Sequence, residues 1–151
     1  MSNSDKQTLF DRLGGRATLE KVQKIFYDKL FAHPWLSQYF VDVEQEHIEF
    51  QQTEFLMKLF GGPEIYRGRP PVTAHIHAYI TDELFDVRHE ILRDSLNEAG
   101  IPEDLSNEWL NIDASFRRAL IKKSISQCKG RWKTDKILAF ENPERSNKKS
   151  A

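Results

Sequence analysis

Histidine is the commonest metal ligand, and the chain has five: His33, His47, His75, His77 and His89. The stretch 74–77, Ala-His-Ile-His, sets two of them two residues apart. Spacing alone leaves three readings open: a paired metal site, one ligand with a bystander, or two polar residues on a helix surface. A helix turns about 200° over two residues, so both imidazoles cannot face one ion from the same helix. The single Cys128 can form neither an internal disulfide nor a cysteine cage. Two further residues interrupt apolar stripes. Gln52 lies between Ile48 and Phe55 and Leu56. Burying an amide without a partner costs on the order of 1–3 kcal/mol, so a glutamine there needs something polar to meet. Arg88 sits among Leu84, Phe85, Ile91 and Leu92. A guanidinium in that place must be paired or reach outward.

The elements that must position these residues read as helices. "SDKQTLFDRL" starts with Ser4 as an N-cap and stops at Gly14-Gly15. Residues 16–31 carry Leu19, Val22, Ile25, Phe26 and Leu30 at helical spacing. Pro34 opens a short helix, "PWLSQYF". Residues 44–60 place Ile48, Gln52, Phe55, Leu56 and Leu59 on one face, ended by Gly61-Gly62-Pro63. The connector "GGPEIYRGRPP" at 61–71 has little regular structure. A short helix then holds His75, and Thr81, followed by Asp82 and Glu83, caps the next, stopped by Gly100 and Pro102. A last helix is expected from about Leu105 to Cys128, with Trp109, Ile112, Phe116, Leu120 and Ile121 inward. The fold class is therefore all-α; a four-helix bundle and a globin-type sandwich both fit the inventory. Residues 1–128 are expected to form the domain. Residues 129–151 form an extension whose "GRWKTDKILAF" packs as a further short helix, with Trp132 and Phe140 as its apolar anchors, before a disordered tail.

Composition excludes several classes. A net charge of −1 with no long basic run before the C-terminus argues against nucleic acid or an anionic membrane as partner. No apolar run approaches the roughly 20 residues needed to span a bilayer, and the N-terminus lacks a signal peptide's apolar stretch. A reducing cytoplasm is the expected location. Ten Phe, four Tyr and three Trp could line a pocket for a flat ligand.

Four segments carry a more specific signal: "LFDRLGG" at 9–15, "IFYDKLFAHPWLSQYF" at 25–40, "QQTEFLMKLFGGPEIYRG" at 51–68 and "AHIHAYITDELFD" at 74–86. Their order resembles the truncated haemoglobins, small globins with a two-over-two helical sandwich around haem. The likeness covers roughly residues 8–125. "FGGPEIY" looks most like group I, while "RGRP" echoes group II. The resemblance implies haem b as cofactor and assigns roles by position. Counting back from Ile80-Thr81, the iron-ligating histidine falls on His75. Tyr27 matches the distal tyrosine whose hydroxyl donates to iron-bound oxygen, and Phe40 the aromatic wedged against the haem. Counting back from Gly61-Gly62, the ligand-facing positions fall on Ile48 and Gln52, with Gln51 beside them. Tyr66 matches a connector tyrosine that reaches a propionate; Phe55, Ile80, Phe85 and Arg88 complete the expected haem contacts. Arg88 is the departure, because the family usually has an apolar or aromatic residue there. It could reach a propionate, a carboxylate such as Asp113, or the ligand site itself.

The remaining histidines have blander readings. His77 is expected in solvent or at the haem edge, His89 beside Phe85, and His33 in an exposed turn. His47 precedes Ile48, so a shift of one residue would put it over the iron as a sixth ligand. The implied function is binding of O2, NO and CO, with Tyr27 and Gln52 holding the ligand. NO dioxygenation or peroxidase-like chemistry is the enzymatic form; it needs an external electron donor, as the chain has no flavin or nicotinamide motif. The alternatives are a six-coordinate redox or gas-sensing globin and, from another class, a non-haem helical interaction module. The chain is expected to be a monomer or weak homodimer.

Overall fold

The computed structural model describes residues 7–144. Among these the chain is helical, with one isolated bridge between extended segments. Helix α1 (Leu9–Leu13) starts at a capping box: the Thr8 hydroxyl accepts from the Asp11 N–H at 3.1 Å, and the Asp11 carboxylate accepts from the Thr8 N–H at 3.3 Å. Thr8 thus does the work expected of Ser4, which lies outside the described residues. Gly14 ends the helix at φ 105°, a left-handed conformation that side chains resist.

Helix α2 (Arg16–Ala32) buries Leu19, Val22, Gln23, Phe26, Tyr27 and Leu30, one stripe at i, i+3, i+4, i+7, i+8 and i+11. It packs mainly on α3 (Gln45–Leu59) and also on α5 (Asp82–Glu98), which in turn packs on α6 (Glu103–Ala114). These two pairs make the two-over-two sandwich. Between α2 and α3 the chain turns through a short 3-10 segment, Leu36–Phe40. His33 organises this turn, its Nδ1 accepting from the N–H groups of Trp35 and Leu36 at 3.1 and 3.2 Å. It is half-buried structure rather than an exposed turn residue.

The two glycine pairs of the sequence meet in space. Phe10 donates its N–H to the Phe60 carbonyl at 3.0 Å, docking the end of α3 on α1. Gly61, at φ 89°, lies so close to Thr8 that a Cβ would approach its side chain to 2.7 Å. A Cβ on Gly62 would meet the Phe10 ring at the same distance. Residues 61–70 then run without regular structure to α4 (Pro71–Ala74). Thr81 caps α5 as expected, accepting from the Leu84 N–H at 3.1 Å.

Two expectations for the C-terminal part are corrected. The last long helix stops at Ala114, not near Cys128. There the Ser115 hydroxyl donates to the Ile112 carbonyl at 2.5 Å, a side-chain bond of the kind that competes with helical pairing. One short turn, α7 (Arg117–Leu120), follows. Nor is 131–140 a helix: it is a turn leading into an extended strap. Residues 75–80 form irregular backbone whose polar groups need partners, and extended chain can supply them. Leu138 donates to the His77 carbonyl at 2.9 Å, and Tyr79 donates to Leu138 at 2.8 Å. Lys122 and Lys129 donate their N–H groups to Ile80 and Ile76 at 2.9 and 3.0 Å, and the Lys122 ammonium reaches the carbonyls of His75 and Ala78. Phe140 fastens the far end: its carbonyl accepts from Trp35 Nε1 at 2.8 Å and its ring meets Tyr39 edge-on at 5.0 Å. Trp132, the other expected anchor, is exposed. Most of the tail expected to be disordered lies outside the described residues.

Candidate functional site

Between the helix pairs lies a cavity of about 490 Å³. On one wall is His75, which follows the single turn of α4 and ends it. Its Nδ1 is 2.7 Å from the Pro71 carbonyl oxygen. A carbonyl can only accept, so Nδ1 carries the proton and Nε2 keeps its lone pair. The residue is exposed and lines the cavity; the protein packed around the imidazole nonetheless disfavours its charged form and pushes its pKa down to about 4, against the opposing bond to Pro71. At neutral pH it is an uncharged imidazole with a fixed tautomer, the state a metal requires.

Tyr27, Ile48, Gln51, Gln52 and Phe55 also line the cavity, from α2 and α3. The Tyr27 ring is packed edge-on against Phe26, Phe31 and Phe40 at centroid distances of 5.2, 6.4 and 6.0 Å. That cage fixes the ring and leaves its hydroxyl at the cavity, where burial pushes its pKa upward and keeps it protonated, a donor. Neither the Tyr27 hydroxyl nor the Gln52 amide has a hydrogen-bond partner among the described residues. Phe40, Tyr66, Ile80, Phe85 and Arg88 complete the expected set, and the structure brings all of them to the same cavity. The Tyr66 hydroxyl is committed to the Arg69 carbonyl at 2.7 Å, and its ring meets Phe55 edge-on.

His47 is not brought there. It is exposed on α3 and lies outside the lining, while Ile48 faces inward. One residue along a helix turns the side chain by about 100°, and the register of α3 spends that turn on Ile48. His77 also departs from the solvent-exposed reading. It is buried, only 8% exposed, lines the cavity edge and keeps an unpartnered Nδ1. Strap residues Arg131 and Asp135 stand beside it. Among the described residues no three His, Cys, Asp or Glu side chains cluster to hold a bare ion, so the paired-histidine reading is not supported by further donors.

The Arg88 question resolves onto Asp113. The guanidinium forks onto that carboxylate with two bonds of 2.8 Å, and His89 Nδ1 approaches the same carboxylate at 2.8 Å. Burial alone would raise the Asp113 carboxyl; the charge of Arg88 and the bonds from His89 and Arg88 outweigh it and hold the group well below the usual carboxylate range. His89 also stacks on Phe85 at 6.2 Å, as its spacing suggested.

The cavity walls suit a flat aromatic ligand: an imidazole with a free Nε2, aromatic sides, two unpartnered polar groups, and Arg69 and Lys136 for peripheral carboxylates. The sequence matches the family model of the bacterial-like globins over residues 8–121. The chain belongs to that family. Among these globins it is similar to group 1 truncated hemoglobins: 30% identical to that of Tetrahymena pyriformis over 117 residues, which are 78% of this chain and 97% of the relative. It is 32% identical to that of Mycolicibacterium paratuberculosis over 107 residues, 71% of this chain and 79% of the relative. Among solved structures, the Tetrahymena pyriformis truncated hemoglobin in its Fe(III) form superposes with a TM-score of 0.70 at 29% identity, covering 78% of this chain and 100% of that one. The hemoglobin of Chloroflexus aurantiacus gives 0.71 at 31% identity, covering 78% and 99%. Membership of the globin family implies haem b as cofactor and a diatomic gas as ligand, and it overturns the non-haem interaction module as the identity of the fold.

Sequence reasoning missed the strap's contribution. Arg131, Trp132, Asp135, Lys136 and Leu138 all reach the cavity lining, although the family match ends at residue 121. The apolar "ILAF" at 137–140 was the available signal.

Proposed function

We propose that this globin binds haem b through His75 Nε2 and holds O2 with the Tyr27 hydroxyl and the Gln52 amide. The observation that carries the reading is the bond from His75 Nδ1 to the Pro71 carbonyl, in a cavity that also takes in Tyr27 and Gln52. Bound haem supplies reversible binding of O2, NO and CO and, with an external electron donor, oxidation of NO to nitrate or related peroxide chemistry. Everything else falls to the chain. Pro71 orients the imidazole and fixes its tautomer, while burial keeps it neutral. Phe40, Phe55 and Phe85 exclude water from the faces of the ring. Tyr27 and Gln52 offer two donors at one ligand, an arrangement that slows release and suits retention or activation of O2 more than transport. Arg69 and Lys136, exposed residues of the cavity lining, would hold the peripheral carboxylates of haem. A six-coordinate form through His47 finds no support, because that side chain points away from the cavity.

The test is the absorption spectrum of the purified protein in ferric, ferrous and CO forms, with His75→Ala beside the wild type. A Soret band that is lost or strongly weakened in His75→Ala is the expected result. Protein that stays colourless through a hemin titration sinks the haem reading, and unchanged haem binding by His75→Ala sinks the axial assignment.

A further inference from the structure

Arg88 brings a fixed positive charge to the cavity wall, at a position where an apolar side chain was expected. Its guanidinium has five N–H donors. Two are spent on Asp113 at 2.8 Å each, and no other described residue accepts the remaining three. Its Cζ lies over the rings of Phe26 and Phe85, at 5.4 and 5.7 Å from their centroids. Those rings are 2% and 1% exposed, so the group is at the inner end of the cavity, away from Arg69 and Lys136 at the mouth. With two rings beside it and Asp113 on one edge, the side chain lines the cavity, which is the outlet for the remaining N–H groups. The side chain keeps 29% of its exposure while Asp113 keeps 11%, so the cation is the more open member of the pair. Burial dominates the upward shift of Tyr27 and the downward shift of His75; the charge of Arg88 opposes the first and adds to the second, so it stands within reach of the donor side and the imidazole side alike.

We propose that Arg88, clamped by Asp113, makes the inner end of the cavity an anion-accepting wall, so that this globin favours small monovalent anions such as azide, fluoride or nitrite over neutral molecules as ligands beside the haem. The inference rests on the haem reading above. Asp113 has two functions in it. It offsets the cost of burying the guanidinium, and by taking one edge it turns the other toward the ligand space. A lysine at 88 would keep the charge but lose the fork. A propionate partnership is the competing use of the same charge. It is disfavoured because charged propionates would be directed to solvent, whereas Arg88 is flanked by two deeply buried rings.

The experiment is a spectral titration of the ferric holoprotein with fluoride and with azide, and separately with neutral imidazole, in wild type, Arg88→Leu and Arg88→Lys. Arg88→Leu is expected to weaken both anions about tenfold or more, the worth of one charge-assisted hydrogen bond, while imidazole changes less than about threefold. Arg88→Lys is expected to restore part of the anion affinity. Anion and imidazole affinities that fall together would mean that the substitution merely disturbs the pocket, and unchanged anion affinity would mean that the wall is idle; either overturns the proposal. So does faster transfer of hemin to an acceptor apoprotein with no change in anion preference, which is the signature of a propionate partner. If Arg88→Leu does not fold by circular dichroism, Arg88→Gln, which keeps an amide donor without the charge, is read by the same criteria. A chain that takes up no hemin fails earlier, by a missing Soret band, and that failure belongs to the haem reading rather than to Arg88.

Discussion

At the scale of single residues, the site is defined by what each polar group lacks. His75 has one nitrogen engaged and one free. Tyr27 has its ring caged on three sides and its hydroxyl unpartnered. Removing that hydroxyl while keeping the ring isolates its chemistry, so Tyr27→Phe should speed O2 release at least about tenfold, as expected for losing one hydrogen bond of about 1.4 kcal/mol. Stopped-flow measurement of O2 dissociation checks it, and a rate within twofold of wild type would assign ligand retention to another group. Asp113 supports a pH prediction. Its carboxyl is held below the ordinary value of 3.8 in the folded chain, so the stability it contributes is fully present above about pH 4 and is lost as the pH falls through its own lower value. Asp113→Asn should therefore cost about 3 kcal/mol at pH 7, the scale of breaking a buried pair, and the gap from wild type should narrow below pH 4. Urea unfolding at pH 7 and pH 3 measures both numbers; a gap that stays constant would show that the ion pair is not what Asp113 contributes. Gln52 and Arg88 were readable in the sequence because an amide and a guanidinium stand out on apolar stripes, whereas the roles of Tyr27 and His75 came from the family resemblance. The partner of Arg88 was only one of three candidates there, since sequence gives the direction of a side chain but not the length of its reach.

At the scale of elements, α2, α3 and α5 were legible because each buries one face and its pattern repeats at helical period. The end of α6 and the strap were not. The apolar run from Trp109 to Ile121 is compatible with one long helix; it breaks at Ser115, whose hydroxyl takes the Ile112 carbonyl, and the backbone of residues 76–80 pairs with the chain after Leu120. The strap's anchor is testable. Phe140→Ala removes the ring that meets Tyr39 and packs against the core. It should destabilise the chain by about 2 kcal/mol and hasten loss of hemin to an acceptor apoprotein, because the strap holds the backbone that presents His75. Chemical denaturation and hemin-transfer kinetics are the measurements. A destabilisation without faster hemin loss would confine the strap to a structural role.

At the scale of the whole molecule, a cavity lined by residues from almost every element couples the cofactor to the fold. A ligand that binds only the folded state stabilises it by mass action, by about 2.7 kcal/mol at a hundredfold excess over its dissociation constant. Hemin should therefore raise the thermal midpoint of the wild-type apoprotein clearly and that of His75→Ala much less, as read by calorimetry; equal rises would indicate binding away from His75. The sequence by itself determined the helical class, the order of the helices and the glycine-marked corners, because helical period, capping and local turn chemistry are properties of neighbouring residues. It also carried the likeness to the truncated haemoglobins, now supported by the match over residues 8–121. Only the tertiary structure decided that Ile48 rather than His47 faces the cavity, that Asp113 takes Arg88, that His77 is buried, and that residues 122–140 close over the histidine segment. Each of those depends on groups far apart in the chain competing for one partner or one space, and that competition is settled only once the helices have packed.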